Sequence, residues 1–349
     1  MIRGRVKITD IAKELGVSTS TVSRALSNEG RISAETREAV IKLAKDWGYK
    51  PNPFAINLLK KKSKNVGLIL PEFTHHYFSK VLDGVSQVLS EHGYYLFINT
   101  HGGEIEKEVK AVNMLSSMRV DGIIASYARE TSDFSHYLEL IEEDVPLVFF
   151  DRLCEDLDTS YVVTDDFQGC RDAIKYLVDQ GHRNIVHIQG PQNLSTSFNR
   201  YVGYKETLKD QGLTFSEELV IQSEYTSWKN QLKSLILADR VDAILCFNDY
   251  LAFDCVEIIK DMDLSVPEDI SLIGFADEPI ASHMTPRLST INQPAELMGR
   301  KAAETLIWHI ENPDLLEYRC ESIPTELVLR DSTQKKCQVE QASYLQKVG

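Results

Sequence analysis

Between residues 66 and 275, short apolar runs alternate with helical patterns roughly every twenty to thirty residues, and nothing else in the chain narrows the fold as far. Strands are expected at 66–70, 94–99, 122–125, 147–150, 161–164, 184–189, 219–222, 242–247 and 271–275. Helices are expected to start near Tyr77, Glu104, Phe134, Asp165, Thr196, Ser227, Asp249 and Ala295. Such alternation means parallel sheets with helices on both faces, because each parallel pair needs a long crossover and a helix supplies it. The strands are too many for one compact sheet, so two similar α/β lobes with a cleft between them are expected. In open sheets of this kind ligands sit beyond the carboxyl ends of the strands. The loops at those ends carry Phe73, Thr74, Tyr77 and Phe78; Asp151 and Arg152; Thr196 and Arg200; Tyr225; Asn248 and Asp249; and Asp277 and Glu278. Flat apolar faces with a few forked polar groups suit a carbohydrate-like ligand. The competing reading for each residue is that it only supports its loop. Asp165 and Asp166 could form an acid pair, but in a βα loop they are more simply helix caps.

The first fifty residues follow a different rule. ITDIAKELGVSTSTVSRAL, residues 8–26, reads as two short helices joined by a tight turn. Thr9 is expected to cap the first helix, which buries Ile11, Ala12 and Leu15. Gly16 supplies the positive φ that ends it, Val17 fills the corner, and Ser18 caps a second helix with Val22 and Leu26 facing inward. That helix turns Thr19, Ser20, Ser23 and Arg24 outward, and a helix start carrying small polar residues and an arginine fits the major groove of DNA. A plain helical hairpin is the alternative. Against it stands a third helix, capped by Ser33 with Glu35 in its first turn, carrying Val40, Leu43, Ala44 and Trp47 and closed by Gly48. Three helices in so short a stretch make a small domain of the helix-turn-helix type.

The net charge of −14 argues against nucleic acid only until the chain is divided. Residues 1–64 hold 14 basic and 6 acidic side chains, a net of +8; the remainder holds 24 basic and 46 acidic, a net of −22. That asymmetry marks a basic module for phosphate carried by an acidic body. The six cysteines (Cys154, Cys170, Cys246, Cys255, Cys320, Cys337) show neither C-x-x-C pairs nor zinc-finger spacing, so buried free thiols and no metal are expected. No apolar run approaches membrane-spanning length and no signal-peptide core follows Met1, so a cytoplasmic protein is expected.

TDIAKELGVSTSTVSRAL followed by RISAETREAVIKLAKDWGYKPNPFA closely resembles the DNA-binding domain of the lactose-repressor (LacI/GalR) family of bacterial transcription regulators. The resemblance runs to about Arg330 through GLILPE at Gly67, DGII at Asp121, GHRNIVHIQGP at Gly181, FNDYLAFD at Phe247 and DISLIGFADEP…TPRLSTINQP…MGRKAAE from Asp269. Each motif is weak alone; their order and spacing together are specific. The resemblance implies an all-α helix-turn-helix domain at 1–50, a hinge helix and linker at 51–65, and a two-lobed periplasmic-binding-protein-like (type I) α/β domain at 66–330. A polar tail, expected to be disordered and without a leucine heptad seam, follows at 331–349.

In function the resemblance implies a homodimeric regulator that reads a near-palindromic double-stranded operator under the control of a small carbohydrate effector. It uses no cofactor and performs no catalysis. The DNA-contacting set it implies is Thr9, Ser18, Thr19, Ser20, Thr21, Ser23, Arg24 and Asn28, with Asn52, Ala55 and Leu58 in the hinge, where Leu58 wedges into the central minor-groove step. The effector set is Tyr77, Phe78, Asp151, Arg152, Thr196, Arg200, Tyr225, Asn248 and Asp277: Phe78 and Tyr225 stack on the ligand, and Arg200 and Asn248 hydrogen-bond it. Two departures stand out. Ile56 replaces a residue that is often polar. Gly274-Phe275-Ala276-Asp277 carries Ala276 where the family has a ligand-touching acid, which moves that contact to Asp277 or Glu278 or reflects a ligand lacking the matching hydroxyl. A transporter's sugar-binding protein is disfavoured by the basic first 64 residues and the missing signal peptide. An enzyme is disfavoured because no G-x-S-x-G elbow, P-loop or G-x-G-x-x-G occurs.

Overall fold

The computed structural model describes residues 6–28, 30–49 and 62–333, and the chain divides into two compact units, Met1–Ser63 and Lys64–Gly349. In the first unit, helices α1 (Ile8–Glu14), α2 (Thr19–Ser27) and α3 (Ala34–Asp46) enclose Ile11, Ala12, Val22, Ala25, Val40 and Ala44. Ser18 and Ser33 cap α2 and α3 by accepting from the backbone N–H groups of Thr21 and Thr36, as expected. Gly16 and Gly48 take φ of 64°, as the helix ends require. Thr9 does not cap α1. The helix begins one residue earlier, Lys7 is the cap position, and Asp10 accepts from the Lys7 N–H at 2.8 Å. An aspartate two residues inside a helix can serve the entry as well as a capping hydroxyl, and Thr9 is left exposed on the first turn.

The second unit holds two six-stranded sheets. The first orders β11-β5-β4-β3-β1-β2, all parallel: β1 (Asn65–Leu70), β2 (Tyr95–Thr100), β3 (Gly122–Ala125), β4 (Leu147–Phe150), β5 (Ser160–Thr164) and the returning β11 (Cys320–Ile323). Alternation along β1 assigns its faces. Val66, Leu68 and Leu70 meet α4 (His76–Glu91) and α11 (Ala295–Glu311), whereas Ile69 meets α5 (Ile105–Ser117) and α6 (Ser135–Glu142). The second sheet orders β12-β10-β9-β8-β6-β7, parallel except for β12 against β10. Its strands are β6 (Ile185–Gln189), β7 (Val220–Gln222), β8 (Ala243–Cys246), β9 (Ser271–Ala276), β10 (Ser289–Asn292) and β12 (Glu326–Val328). Helices α7 (Asp166–Asp179) and α8 (Ser195–Asp210) cover one face, and α9 (Trp228–Leu237) and α10 (Asp249–Asp261) the other.

All nine expected strands and eight expected helices occur, with ends within one residue or so. Three further strands, β10, β11 and β12, lie outside the nine expected from the sequence. The two lobes exchange chain three times, after β5, after β10 and after β11. Helices α4 and α11 touch backbone to backbone, which two glycines permit: a Cβ on Gly299 would lie 2.0 Å from the Val81 carbonyl oxygen, and one on Gly84 2.1 Å from that of Glu296. The expected tail begins too early. Ser332 is buried, its carbonyl accepts from Leu272 and its hydroxyl bridges Ser289 N–H to the Leu272 carbonyl, so the lobe extends through Thr333. Four of the five described cysteines are buried and free, but Cys320 is exposed on the edge strand β11. Asn52, Ala55 and Leu58, with most of the hinge, and residues 334–349, including Cys337, lie outside the described residues.

Candidate functional site

On α2, the exposed start carries Thr19 and Ser20, with Arg24 exposed one turn further along and Ser23 half-buried. The Ser18 hydroxyl lies 2.7 Å from that of Ser20 and 2.8 Å from that of Thr21, so the cap stiffens the same turn that presents Thr19. The Arg24 stem passes over Gly30, where a Cβ would stand 3.3 Å from Cδ. Asn28 takes the left-handed conformation (φ 58°) and closes α2 through its N–H to the Arg24 carbonyl. Its structural task is that of a C-cap.

In the larger unit, the carboxyl ends of both sheets face a cavity of about 110 Å³. Seven of the nine expected effector residues line it: Tyr77, Phe78, Asp151, Arg152, Thr196, Arg200 and Asn248. Two do not. Tyr225 is 61% exposed in the turn before α9, outside the lining. Asp277 turns away to accept from Arg330 at 2.7 Å. The reason lies in the backbone: Ala276 has φ 109° and Asp277 φ 54°, so the chain turns sharply after β9 and brings Glu278 into the lining instead.

Arg200 anchors the cleft floor. It is 4% exposed, its Nε and Nη2 lie 3.1 and 3.0 Å from Asp166 Oδ2, its Nη1 donates to the Phe247 carbonyl, and its guanidinium sits 3.6 Å from the Phe275 ring centroid. Burial pushes the Asp166 carboxyl up to about 6, while the Arg200 charge and the Thr164 hydroxyl pull it back. Asp165 is the α7 cap, accepting from Gln168 N–H, so only half of the Asp165–Asp166 pair is a cap and the other half is an ion-pair partner. Asp151, at φ 64°, accepts from the Tyr77 hydroxyl at 2.9 Å and lies 3.7 Å from Arg152 Nε. Burial raises this carboxyl and lowers the Arg152 guanidinium. Asn248 caps α10, accepting from Leu251 N–H.

Four polar lining residues lie outside the strand-end residues and the effector set expected from the sequence: Glu72, His75, Tyr250 and Gln293. Asp249 and Glu278, expected from the strand-end loops, line the cavity, Glu278 being one of the two alternatives for the contact that Ala276 lacks, whereas Phe73 and Thr74 of the same loops stay outside it. Asp249 accepts from the Thr290 hydroxyl (2.6 Å) and the Glu278 N–H (2.7 Å), and burial pushes its carboxyl up to about 6. Gln293 follows β10, a strand without an apolar run, so it carried no signal. The lobes meet across the opening. His75 stacks on Tyr250 at 4.4 Å between centroids, Glu278 accepts from His76 and Tyr77 at the start of α4, and Ser195 Oγ accepts from Leu153 N–H at 2.7 Å.

Residues 7–52 match the family "Bacterial regulatory proteins, lacI family", and residues 174–333 match the periplasmic binding protein-like domain. The ribose operon repressor of Halalkalibacterium halodurans is 32% identical over 329 residues, spanning 93% of this chain and 96% of that protein. The chain belongs to the LacI family. It is a DNA-binding transcriptional regulator, and its relatives are named transcriptional repressors and regulators rather than enzymes. A solved complex of the regulator CelR with cellobiose matches over 94% of this chain and all of that one, at 30% identity and a TM-score of 0.71. The lac repressor dimer bound to operator matches over 95% at 24% identity and a TM-score of 0.79, a likeness of fold. Among the described residues no helix is long and apolar enough to cross a membrane, and no cluster of three metal-ligating side chains occurs.

Proposed function

We propose that this LacI-family member is a cytoplasmic homodimer that binds a near-palindromic operator through α2 of each subunit and changes operator affinity when a carbohydrate-class ligand enters the interlobe cleft. The observation that carries the reading is the joining of a helix start rich in small hydroxyls and Arg24 to a two-lobed cleft lined by Phe78, Tyr250, Arg200 and several carboxylates. Aromatic faces take the apolar side of a sugar ring, and charged acceptors and donors take its hydroxyls. Thr19 and Ser20 would choose bases beside a guanine held by Arg24, and Leu58 would wedge the central step. Ligands of similar proteins support the class, since CelR is solved with cellobiose.

Fluorescence anisotropy of the full chain on an operator-like DNA pool, at two salt concentrations and with and without sugars, tests this reading. Tight binding with a steep salt dependence is expected, and at least one sugar should change it. Binding that is weak at both salts, or indifferent to every sugar, would count against it.

A further inference from the structure

The cleft's charges are arranged in a way that the carbohydrate reading alone does not require. A helix start is a natural anion site, and α4, sixteen residues long, starts beside the cleft. That position is occupied from within the protein. The Glu278 carboxylate, 5% exposed and carried by the opposite lobe, accepts from the N–H groups of His76 (3.2 Å) and Tyr77 (3.4 Å) and from the Tyr250 hydroxyl (3.3 Å). Each of the two lining arginines already has a carboxylate beside it. Arg200 is paired with Asp166 and donates to the Phe247 carbonyl. Arg152 lies against Asp151 and donates to the Tyr127 carbonyl. Nearby, Lys80 is paired with Asp83, and His75 lies 3.5 Å from Glu72. Asp249 and Glu278 have no cation paired with them among the described contacts; their partners are hydroxyls and backbone N–H groups.

We propose that the cleft takes an uncharged, polyhydroxylated ligand and is closed to anionic relatives such as sugar acids and sugar phosphates. This rests on the reading of the cleft as the effector site and narrows it. A carboxylate oxygen keeps lone pairs beyond those already used, so Glu278, Asp249 and Asp151 can each accept from a ligand hydroxyl. An added anion would meet four lining carboxylates, Glu72, Asp151, Asp249 and Glu278, against two guanidiniums that each already face a carboxylate. It would also meet the dryness that already pushes Asp166 and Asp249 up to about 6. At separations near those in this cleft, one extra like charge weakens binding by roughly tenfold or more.

The test is calorimetric titration of the full chain, near neutral pH and at fixed ionic strength, with matched probes. D-Glucose is set against D-glucuronate, D-galactose against D-galacturonate, D-ribose against ribose 5-phosphate, and cellobiose against cellobionate. At least one neutral probe should bind, with its anionic partner weaker by roughly tenfold or more. Glu278→Gln removes one carboxylate and should narrow that gap; a merely structural role would weaken both partners alike and leave the gap intact. An anionic probe that binds as tightly as its neutral parent overturns the proposal, as does the absence of binding by every neutral probe. Operator binding measured on the same preparation separates these failures from failure of the regulator reading. If Glu278→Gln does not fold, the probe series on the unaltered chain still decides.

Discussion

Replacing Arg200 by methionine is the sharpest test of the cleft's electrostatics, because it removes the guanidinium that lies over Phe247 and Phe275 while keeping an unbranched apolar stem of similar length. At 3.0 Å and an effective dielectric near 20, the attraction between Arg200 and Asp166 is about 5 kcal/mol. Desolvation of both ions opposes it, so the pair as a whole contributes far less. Removing one partner is another matter: Asp166, 2% exposed, would be left as a buried carboxylate held only by the Thr164 and Gln293 side chains. Losses on breaking such pairs run to about 3–5 kcal/mol, and that is the expected destabilisation of Arg200→Met near pH 8.

The loss should depend on pH with a fixed sign. Asp166 in the folded protein is pushed from 3.8 up to about 6 by burial, against the pull of Arg200. A folded-state value above the unfolded one means that the native state binds the proton more tightly. Its contribution therefore declines as pH rises from about 4 through 6 and is level above that. Without Arg200 the carboxyl climbs further, and the decline continues to higher pH. The difference between variant and parent should thus grow between pH 5 and pH 8, by about 1.4 kcal/mol per unit of added shift. Urea unfolding followed by far-UV circular dichroism across that range reads it out, and Arg200→Met with Asp166→Asn should recover most of the loss. A destabilisation that is flat with pH, or a double variant no better than the single, would refute the reasoning.

Arg24→Ala should cost about 1–3 kcal/mol of operator affinity and relax preference at one position in each half-site, as read by binding to a randomised operator pool; a uniform loss across sequences would make Arg24 a phosphate contact. Leu58→Ala should lower operator affinity more than non-specific affinity and reduce DNA bending in a phasing gel shift, and unchanged bending would remove the wedge. Gly299→Ala puts a Cβ against the Val81 carbonyl, which belongs to a helix backbone and cannot rotate away, so α4 and α11 must separate at about 1–3 kcal/mol; an unshifted urea midpoint would contradict this. Ala276→Gly should stabilise by about 1 kcal/mol, because relief of φ 109° outweighs the added freedom of the unfolded chain, and a lower midpoint would show that the turn is unstrained.

The sequence carried the fold wherever burial writes a pattern. Strand β1 repeats Val66, Leu68 and Leu70 toward one layer and Ile69 toward the other, and α2, α3, α7 and α10 start at capping residues that can be read directly. It failed on β10, β11 and β12, whose segments STIN, CESI and ELV are short and partly polar. Their pairing comes from distant chain: β11 on β5, and β12 on β10. In the cleft, nine of the thirteen side chains named at strand ends line the cavity, because a βα loop has little freedom in where it points. Asp277 failed for a local reason that no periodicity reveals, the two successive positive φ values that rotate it onto Arg330 and rotate Glu278 inward. Tyr225 failed because β7 is a short edge strand and the turn after it runs outward.

The network behind Arg200 explains why the cleft chemistry and the lobe connections belong to one structure. Asp166 is the first residue of α7, on the crossing that follows β5, and Gln293 lies on the crossing that follows β10. The Gln293 amide donates to the Thr164 hydroxyl at 2.8 Å and reaches Asp166 at 3.3 Å, while Arg200 holds the other Asp166 oxygen. Arg200 is therefore one ion pair from two of the three segments that must bend when the lobes move relative to each other. A ligand that draws on the remaining Arg200 donors acts on Asp166, and through it on both crossings. Its effect on lobe geometry can be no larger than its difference in affinity for the two arrangements. Asp166→Asn tests that link apart from ligand contact, since Asp166 does not line the cavity. Ligand affinity should change by less than the ligand-dependent change in operator affinity; equal losses in both would place Asp166 in the binding surface itself.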